Sequence, residues 1–191
     1  MNTITIDLKH VIELTDEQFY QLCRRNPDVK FERSGKGELI IMSPTGGETG
    51  NCNVEIAADF VIWNRQTKLG KVFDSSTGFK LPNGADRSPD VAWIRQERWD
   101  ALTSEQKEKF PPIAPDFVLE LMSPSDTLEK TQEKMQEYME NQVKLAWLID
   151  RKTRRVEIYR LGQAVEVLES PTELSGEDIL LGFVLDVRTL F

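Results

Sequence analysis

The segment from Pro115 to Tyr138, PDFVLELMSPSDTLEKTQEKMQEY, constrains the fold most strongly, because a carboxylate interrupts an otherwise apolar strand pattern. Strand side chains alternate between two faces. This predicts one face made of Phe117, Leu119 and Leu121 and another made of Asp116, Val118, Glu120 and Met122. Both faces are mainly apolar, which is typical of a strand inside a sheet. Glu120 would therefore lie where an ionised carboxylate is costly unless a cation or hydrogen bonds compensate it.

The composition limits the chemistry that could compensate Glu120. The chain has 191 residues, of which 39% are hydrophobic, and this predicts one domain spanning residues 1–191. Its single histidine, His10, excludes a histidine-cluster metal site and a serine–histidine triad. Cys23 and Cys52 match neither a disulfide framework nor a zinc spacing, so we expect free thiols in a reducing cytoplasm. Any catalysis would therefore use carboxylates, lysine and metal.

Charge and hydropathy limit the classes of binding partner that the chain is expected to have. No apolar run reaches the roughly 18 residues of a membrane helix, and the N-terminal sequence lacks a secretory signal pattern, so we expect a cytoplasmic protein without a membrane partner. The net charge of −8 is not that of a general polyanion binder. A local basic patch remains compatible with it. The turn made of Arg151, Lys152, Arg154 and Arg155 is either such a patch, in contact with a nucleic acid backbone, or a solvated turn.

Hydrophobic periodicity predicts helices and strands in a mixed order. Thr15 followed by Gln18 is a capping-box pattern, which predicts a helix from Asp16 to about Arg25. Further elements are predicted as an edge strand or loose arm over 1–10, a hairpin over 31–42, a helix over 51–66, two short strands over 70–81, a strand over 90–94, a short helix over 104–109, a helix over 126–141, a strand over 145–150, and antiparallel strands over 156–160 and 164–168. The fold class is therefore α/β or α+β, with a central mixed sheet flanked by helices.

The sequence also predicts which side chains of the 51–66 helix and of the C-terminal tail face the core. The helix over 51–66 would face the core with Val54, Ala57, Ala58, Val61 and Ile62. The tail after Pro171 would be a loop and a helix or turn docked through Leu181, Phe183, Val184 and Phe191.

The glycine-rich stretch 43–50 is interpreted as a loop leading into a helix, since it lacks the lysine–serine ending of a phosphate-binding loop. Glu55 is either favourably placed near a helix N-terminus or aimed at a site.

Two carboxylates and a lysine could converge on one site. Asp90 begins one apolar strand and Glu120 lies inside the next, and consecutive strands are usually neighbours. Two charged carboxylates so close would repel each other unless a divalent cation lay between them, and oxygen ligands suit Mg²⁺ or Mn²⁺. On the following helix, Lys134 falls beside Tyr138 at the border of the buried stripe. It either reaches the sheet or is an ordinary amphipathic lysine extending to solvent.

Five blocks of this sequence, in order, carry a resemblance to a known family. They are LIIMSPTGGETGN (39–51), GFKLPNGADRSPDVAWI (78–94), PDFVLELMSPSD (115–126), KMQEY (134–138) and LAWLID (145–150). Pro89-Asp90 followed by Glu120 resembles the PD-(D/E)XK nuclease superfamily, and the blocks resemble more closely the Uma-type family of restriction endonucleases. The resemblance implies a restriction-endonuclease-like core over about residues 10–187, with a mixed sheet of four or five strands flanked by helices. It also implies Mg²⁺-dependent hydrolysis of DNA phosphodiesters.

The resemblance assigns roles to four residues. It implies that Asp90 and Glu120 bind the metal and that Glu55 matches the acidic residue of the superfamily's first core helix. The superfamily's lysine, two residues after the glutamate, is replaced here by Met122, and Lys134 in the KMQEY block is the matching candidate. A homodimer is expected, since symmetric dimers are common and suit the cleavage of two strands. Two alternatives stay open: a nuclease fold without catalysis that binds or dimerises, and a hydrolase of small phosphate esters.

Overall fold

A computed structural model describes residues 3–191. The strands in this range are β1 (Ile4–Ile6), β2 (Lys30–Arg33), β3 (Leu39–Met42), β4 (Gly70–Asp74), β5 (Phe79–Lys80), β6 (Asp86–Arg87), β7 (Val91–Arg95), β8 (Phe117–Leu121), β9 (Leu145–Asp150), β10 (Arg155–Arg160), β11 (Glu166–Glu169), β12 (Glu173–Ser175) and β13 (Val184–Asp186). The helices are α1 (Asp16–Arg25), α2 (Gly47–Thr67), α3 (Gln96–Asp100), α4 (Ser104–Glu108) and α5 (Leu128–Glu140).

A six-stranded sheet in the order β11-β10-β9-β8-β7-β4 forms the centre of the fold. β8 and β9 run parallel and the other neighbouring pairs run antiparallel, so the sheet is mixed. The predicted α+β class with a central mixed sheet flanked by helices is confirmed. The sheet has more strands than the four or five that the resemblance implied. β8 is buried along its whole length, as the apolar pattern on both its faces predicted.

A second sheet, in the order β1-β3-β2-β6-β5, is formed largely by the N-terminal part of the chain. β1 lies at one edge of this sheet, and β2 and β3 form the predicted antiparallel hairpin. The capping box of α1 is confirmed, because the Thr15 hydroxyl accepts from Gln18 N and the Gln18 side chain accepts from Thr15 N. This sheet matters for the site because β2 and β6 carry charged side chains that are buried.

The two faces of the six-stranded sheet cover separate cores. Phe117, Leu119 and Leu121 of β8 pack with α2 and with the C-terminal segment, whereas Val118 packs on the other face with α5. The predicted alternation along β8 is thus confirmed. Glu120 lies on the α5 face, where Tyr138 of α5 donates a hydrogen bond to it.

The prediction for α2 was wrong in its start and in its buried face. The helix begins at Gly47 rather than at residue 51, and it buries Ile56, Phe60 and Trp63. The predicted core residues Val54 and Ile62 are 67% and 53% exposed. Phe60 and Trp63 remove more apolar surface from water than valine or alanine can, so the large aromatic side chains set the rotation of the helix.

The C-terminal segment differs from its prediction as well. β12 and β13 pair antiparallel in place of the expected helix or turn. Phe183 is buried as predicted, but Leu181 and Val184 are about half exposed. Leu185 is buried instead, because alternation in β13 directs it to the core while Val184 faces solvent. α3 was not predicted either.

Two smaller expectations concern cysteine and membranes. Cys23 and Cys52 are free thiols. Across residues 3–191, none of the helices combines the length and the apolar character needed to cross a membrane.

Candidate active site

Strand register places Asp90 beside Glu120. Val91 pairs with Leu119 in the antiparallel β7–β8 ladder, so Asp90, one residue before Val91, lies next to Glu120 on the neighbouring strand. Asp90 Oδ2 accepts a hydrogen bond from Leu121 N at 2.9 Å. Its Oδ1 accepts one from Asn53 Nδ2 of α2 at 3.1 Å. Asp90 is therefore attached both to the strand that carries Glu120 and to the first turns of α2.

Glu120 is buried and is contacted by α5. Lys134 Nζ lies 2.7 Å from Glu120 Oε1, and the Tyr138 hydroxyl donates to the same oxygen at 2.8 Å. Lys134 and Tyr138 are four residues apart and so share one face of the helix. The Lys134 side chain is only 13% exposed, so it points to the sheet and not to solvent. The structure thus brings Asp90, Glu120 and Lys134 together.

Glu55 is not brought to this group. It is exposed on α2, where Asn51 Nδ2 approaches it at 3.4 Å, and its charge acts on Asp59. Asn53, two residues earlier, is the α2 residue that reaches Asp90. Residues two apart on a helix point in nearly opposite directions, so the rotation of α2 that brings Asn53 to Asp90 directs Glu55 away from it.

A further buried carboxylate, Glu32 of β2, lies in the same cluster and was not predicted. It is 2% exposed. Its Oε1 lies 3.0 Å from Lys134 Nζ and accepts from Ser88 N at 2.9 Å, while Oε2 accepts from Arg87 Nη1 at 3.0 Å. In the sequence, FERS looks like an ordinary polar hairpin strand, so no local pattern distinguishes Glu32 from an exposed glutamate.

Burial and neighbouring charges shift the acid–base properties of the cluster. Burial, together with the charges of Asp90 and Glu32, raises the pKa of Glu120 to about 7 against the opposing effect of Lys134. Burial also raises the pKa of Asp90, although the hydrogen bond from Leu121 N and the charge of Lys134 oppose this. The site therefore lacks enough positive charge to stabilise both carboxylates in the ionised state.

Lys134 stays protonated. Burial alone would lower its pKa, but the adjacent carboxylates of Glu120 and Glu32 outweigh burial and raise the pKa above its usual value. An ammonium group with a raised pKa cannot accept a proton near neutral pH. Lys134 can therefore act as a hydrogen-bond donor and as a positive charge, but not as a general base.

The donor set suits a hard divalent cation. Asn53 Oδ1 is buried and has no hydrogen-bond partner in the described part of the chain, and Asn53 contacts Asp90. Residues 3–191 contain no cluster of three or more acidic, histidine or cysteine side chains arranged for a metal. Mg²⁺ commonly uses one or two protein carboxylates and completes its shell with water and substrate phosphate oxygens. Asp90, Glu120 and Asn53 fit such a site.

The predicted basic patch is partly engaged in other contacts, and a separate groove carries further basic side chains. In the turn after β9, Arg151 donates to Leu190 O and Arg155 pairs with the buried Glu157, so two of its four basic side chains are already engaged. A groove of about 360 Å³ between α1 and β2 includes Arg24, Lys30 and Ser88 among its lining residues.

The charges of this groove are available to a ligand. Arg24 and Lys30 form no ion pair with any residue in the range 3–191. The charge of Lys30 opposes the rise that burial causes in the pKa of Asp90 and contributes to the lowered pKa of Glu32, so the groove lies within electrostatic reach of the carboxylates.

Glu32 is expected to make stability depend on acid pH. Burial would raise its pKa, but Lys134 and Arg87 lower it to about 2 from the ordinary 4.5. A carboxylate with a lowered folded-state pKa stabilises above its unfolded pKa, and this stabilisation is lost as pH falls from about 4.5 to about 2. The loss is on the order of 3 kcal/mol. Urea unfolding across this range should show a smaller loss in Glu32→Gln than in wild type.

The exposed Glu133 of α5 provides the control for this measurement. Glu133→Gln should follow the wild-type dependence. If Glu32→Gln also followed the wild-type curve, the ion pairs of Glu32 would make no contribution to acid stability.

A family model described as Uma2, "Putative restriction endonuclease", matches residues 16–188. A similar solved structure is that of "a putative nuclease belonging to DUF820" from Anabaena variabilis ATCC 29413. It has a TM-score of 0.73 and 20% sequence identity, and the match covers 84% of this chain and 89% of that one. This structural similarity shows a shared fold. No curated protein matches the chain significantly.

Proposed function

The chain belongs to the Uma2 family, and on that basis and the site geometry we propose that it is a metal-dependent endonuclease that hydrolyses DNA phosphodiester bonds. One observation carries the proposal: Lys134 Nζ lies 2.7 Å from Oε1 of Glu120. Glu120 lies on β8, and Asp90 directly precedes the neighbouring strand β7. Two carboxylates on neighbouring strands, one of them paired with a protonated lysine, are a suitable combination for phosphoryl chemistry.

Asp90, Glu120 and the amide oxygen of Asn53 would hold the metal ion, Mg²⁺ or Mn²⁺. A divalent cation bound there supplies a water of lowered pKa and neutralises charge that develops on the phosphate. Tyr138 orients Glu120 by donating to its Oε1, and Leu121 N orients Asp90. The carboxylates are thus held in place by the backbone and by α5 before any substrate binds.

Lys134 would stabilise the transition state. Because it stays protonated, it donates a hydrogen bond to a phosphate oxygen or to the attacking water and adds a positive charge close to the phosphorus. Met122, at the position two residues after Glu120, packs against the α5-side core. α5 thus provides the cation that β8 does not provide.

The groove between α1 and β2 would contact the DNA backbone. Arg24 and Lys30 are positively charged and have no ion-pair partner in residues 3–191. The affinity of such cations for phosphates falls as the salt concentration rises. A cytoplasmic homodimer, with one domain over residues 1–191 in each subunit, completes the proposal. Two symmetric sites would serve the two strands of a duplex.

Cleavage of supercoiled plasmid tests this function. Wild-type protein with Mg²⁺ or Mn²⁺ should convert the plasmid to nicked or linear forms, and EDTA should stop the conversion. Metal binding is titrated in parallel by calorimetry. Absence of both binding and cleavage would support the alternative of a nuclease fold that only binds or dimerises. Turnover of small phosphate esters without salt-dependent DNA binding would support the third alternative.

A further inference from the structure

Glu32 connects the two segments that carry the site. Its Oε1 lies 3.0 Å from Lys134 Nζ of α5, and the same oxygen accepts from Ser88 N, two residues before Asp90. Glu32 itself belongs to the second sheet. We propose that Glu32 is a positioning residue, which fixes the Lys134 ammonium beside Glu120 and holds the Asp90 segment against it.

This inference rests on the proposed nuclease function and assigns Glu32 no contact with substrate or metal. Both of its carboxylate oxygens are already occupied: Oε1 by Lys134 and Ser88 N, and Oε2 by Arg87. The side chain is 2% exposed. Three donors occupy three of the roughly four acceptor sites of a carboxylate, and the burial of the side chain leaves a ligand no access to the remaining one. Glu32 must therefore act through the residues it contacts.

Lys134 needs a second anchor because a lysine side chain is long and flexible. With Glu120 as its one partner, the ammonium would be free to move with that carboxylate and would neutralise it fully. Glu32 shares the ammonium at 3.0 Å, compared with 2.7 Å for Glu120. An ammonium has three donors. Two are used by these carboxylates, and the third remains for a phosphate oxygen or a water.

The anchor is itself held in place. Arg87 binds Glu32 at 3.0 Å and Glu137 of α5 at 2.5 Å. Glu137 accepts in turn from Gly35 N in the β2–β3 hairpin at 2.8 Å. These contacts join β2, β6 and α5, so the position of Lys134 depends on the second sheet as well as on its own helix.

Glu32→Gln tests the inference because it removes the negative charge and keeps the shape. Cleavage by this variant should show a kcat about 10- to 100-fold lower, as expected for a misplaced catalytic group, with the KM for DNA within about twofold. Glu38→Gln, in the same hairpin and bound to Ser34, should retain wild-type kcat. Glu32→Asp keeps the charge and should recover part of the loss. It also provides the comparison if Glu32→Gln does not fold.

A second measurement does not require cleavage. The ¹⁵Nζ ammonium signal of Lys134, assigned by its loss in Lys134→Ala, should be visible in wild type, because ammonium protons held by two carboxylates exchange slowly with water. It should broaden or vanish in Glu32→Gln and persist in Glu38→Gln. An unchanged signal in Glu32→Gln overturns the inference, as does an unchanged kcat in an active wild-type background. If wild type cut no DNA, the nuclease proposal would fail, and the ammonium signal would still decide whether Glu32 fixes Lys134.

Discussion

Glu120→Gln is expected to lower the rate of plasmid cleavage by at least about 10³-fold while the fold persists. The change removes the carboxylate that would bind the metal and that contacts Lys134 at 2.7 Å. A glutamine oxygen can still accept from the Tyr138 hydroxyl, so the packing of α5 on β8 is kept. Initial rates at saturating Mg²⁺ measure the effect, and far-ultraviolet circular dichroism with thermal unfolding measures the fold.

Two comparisons make this result interpretable. Asp90→Asn should lose cleavage to a similar extent, because it changes the neighbouring carboxylate without removing the oxygen that accepts from Leu121 N. Glu133→Gln, on the exposed side of α5, should cleave at the wild-type rate. A Glu120→Gln variant that cut within tenfold of wild type would rule out a metal site at Glu120. A variant with a collapsed melting temperature would instead indicate a structural role for this carboxylate.

Local sequence patterns were enough to predict where the carboxylates meet. Alternation along 116–122 identified β8 as an interior strand and gave the face of Glu120. Adjacency of consecutive strands then placed Asp90 next to Glu120, as the β7–β8 register shows. The spacing of residues in the sequence was not enough to predict Lys134 as the lysine of the site. Helical geometry put it at the edge of the buried face, and the resemblance to a known family favoured it as the site lysine.

The remaining parts of the cluster depend on contacts between distant segments. Glu32 and Lys134 are 102 residues apart in the chain, and no short-range pattern indicates that a hairpin of one sheet lies against a helix packed on another. The contact of Asn53 with Asp90 could not be predicted for a similar reason. The rotation of α2 is set by Phe60 and Trp63 packing on the sheet, and a count of apolar positions without regard to their size gave the wrong face.

Arg87→Met is expected to lower the free energy of unfolding by about 3–5 kcal/mol, the range for removing one partner from buried ion pairs. Arg87 is 8% exposed, and it pairs with Glu32 at 2% exposure and Glu137 at 14%. Methionine fills much of the same space but leaves both carboxylates without this cation. Urea unfolding at pH 7 measures the loss. Arg188→Met is the control, since Arg188 pairs with Asp186 in solvent, where such pairs contribute little.

The double variant Arg87→Met, Glu32→Gln separates a lost interaction from an uncompensated charge. If the loss in Arg87→Met comes from leaving the Glu32 carboxylate buried with too little positive charge, removing that charge as well should recover part of the stability. The double variant should then lose less free energy of unfolding than the sum of the losses in the two single variants. Strict additivity would show that Arg87 and Glu32 stabilise the fold independently. In that case the contact between the second sheet and α5 would depend on packing rather than on this ion pair.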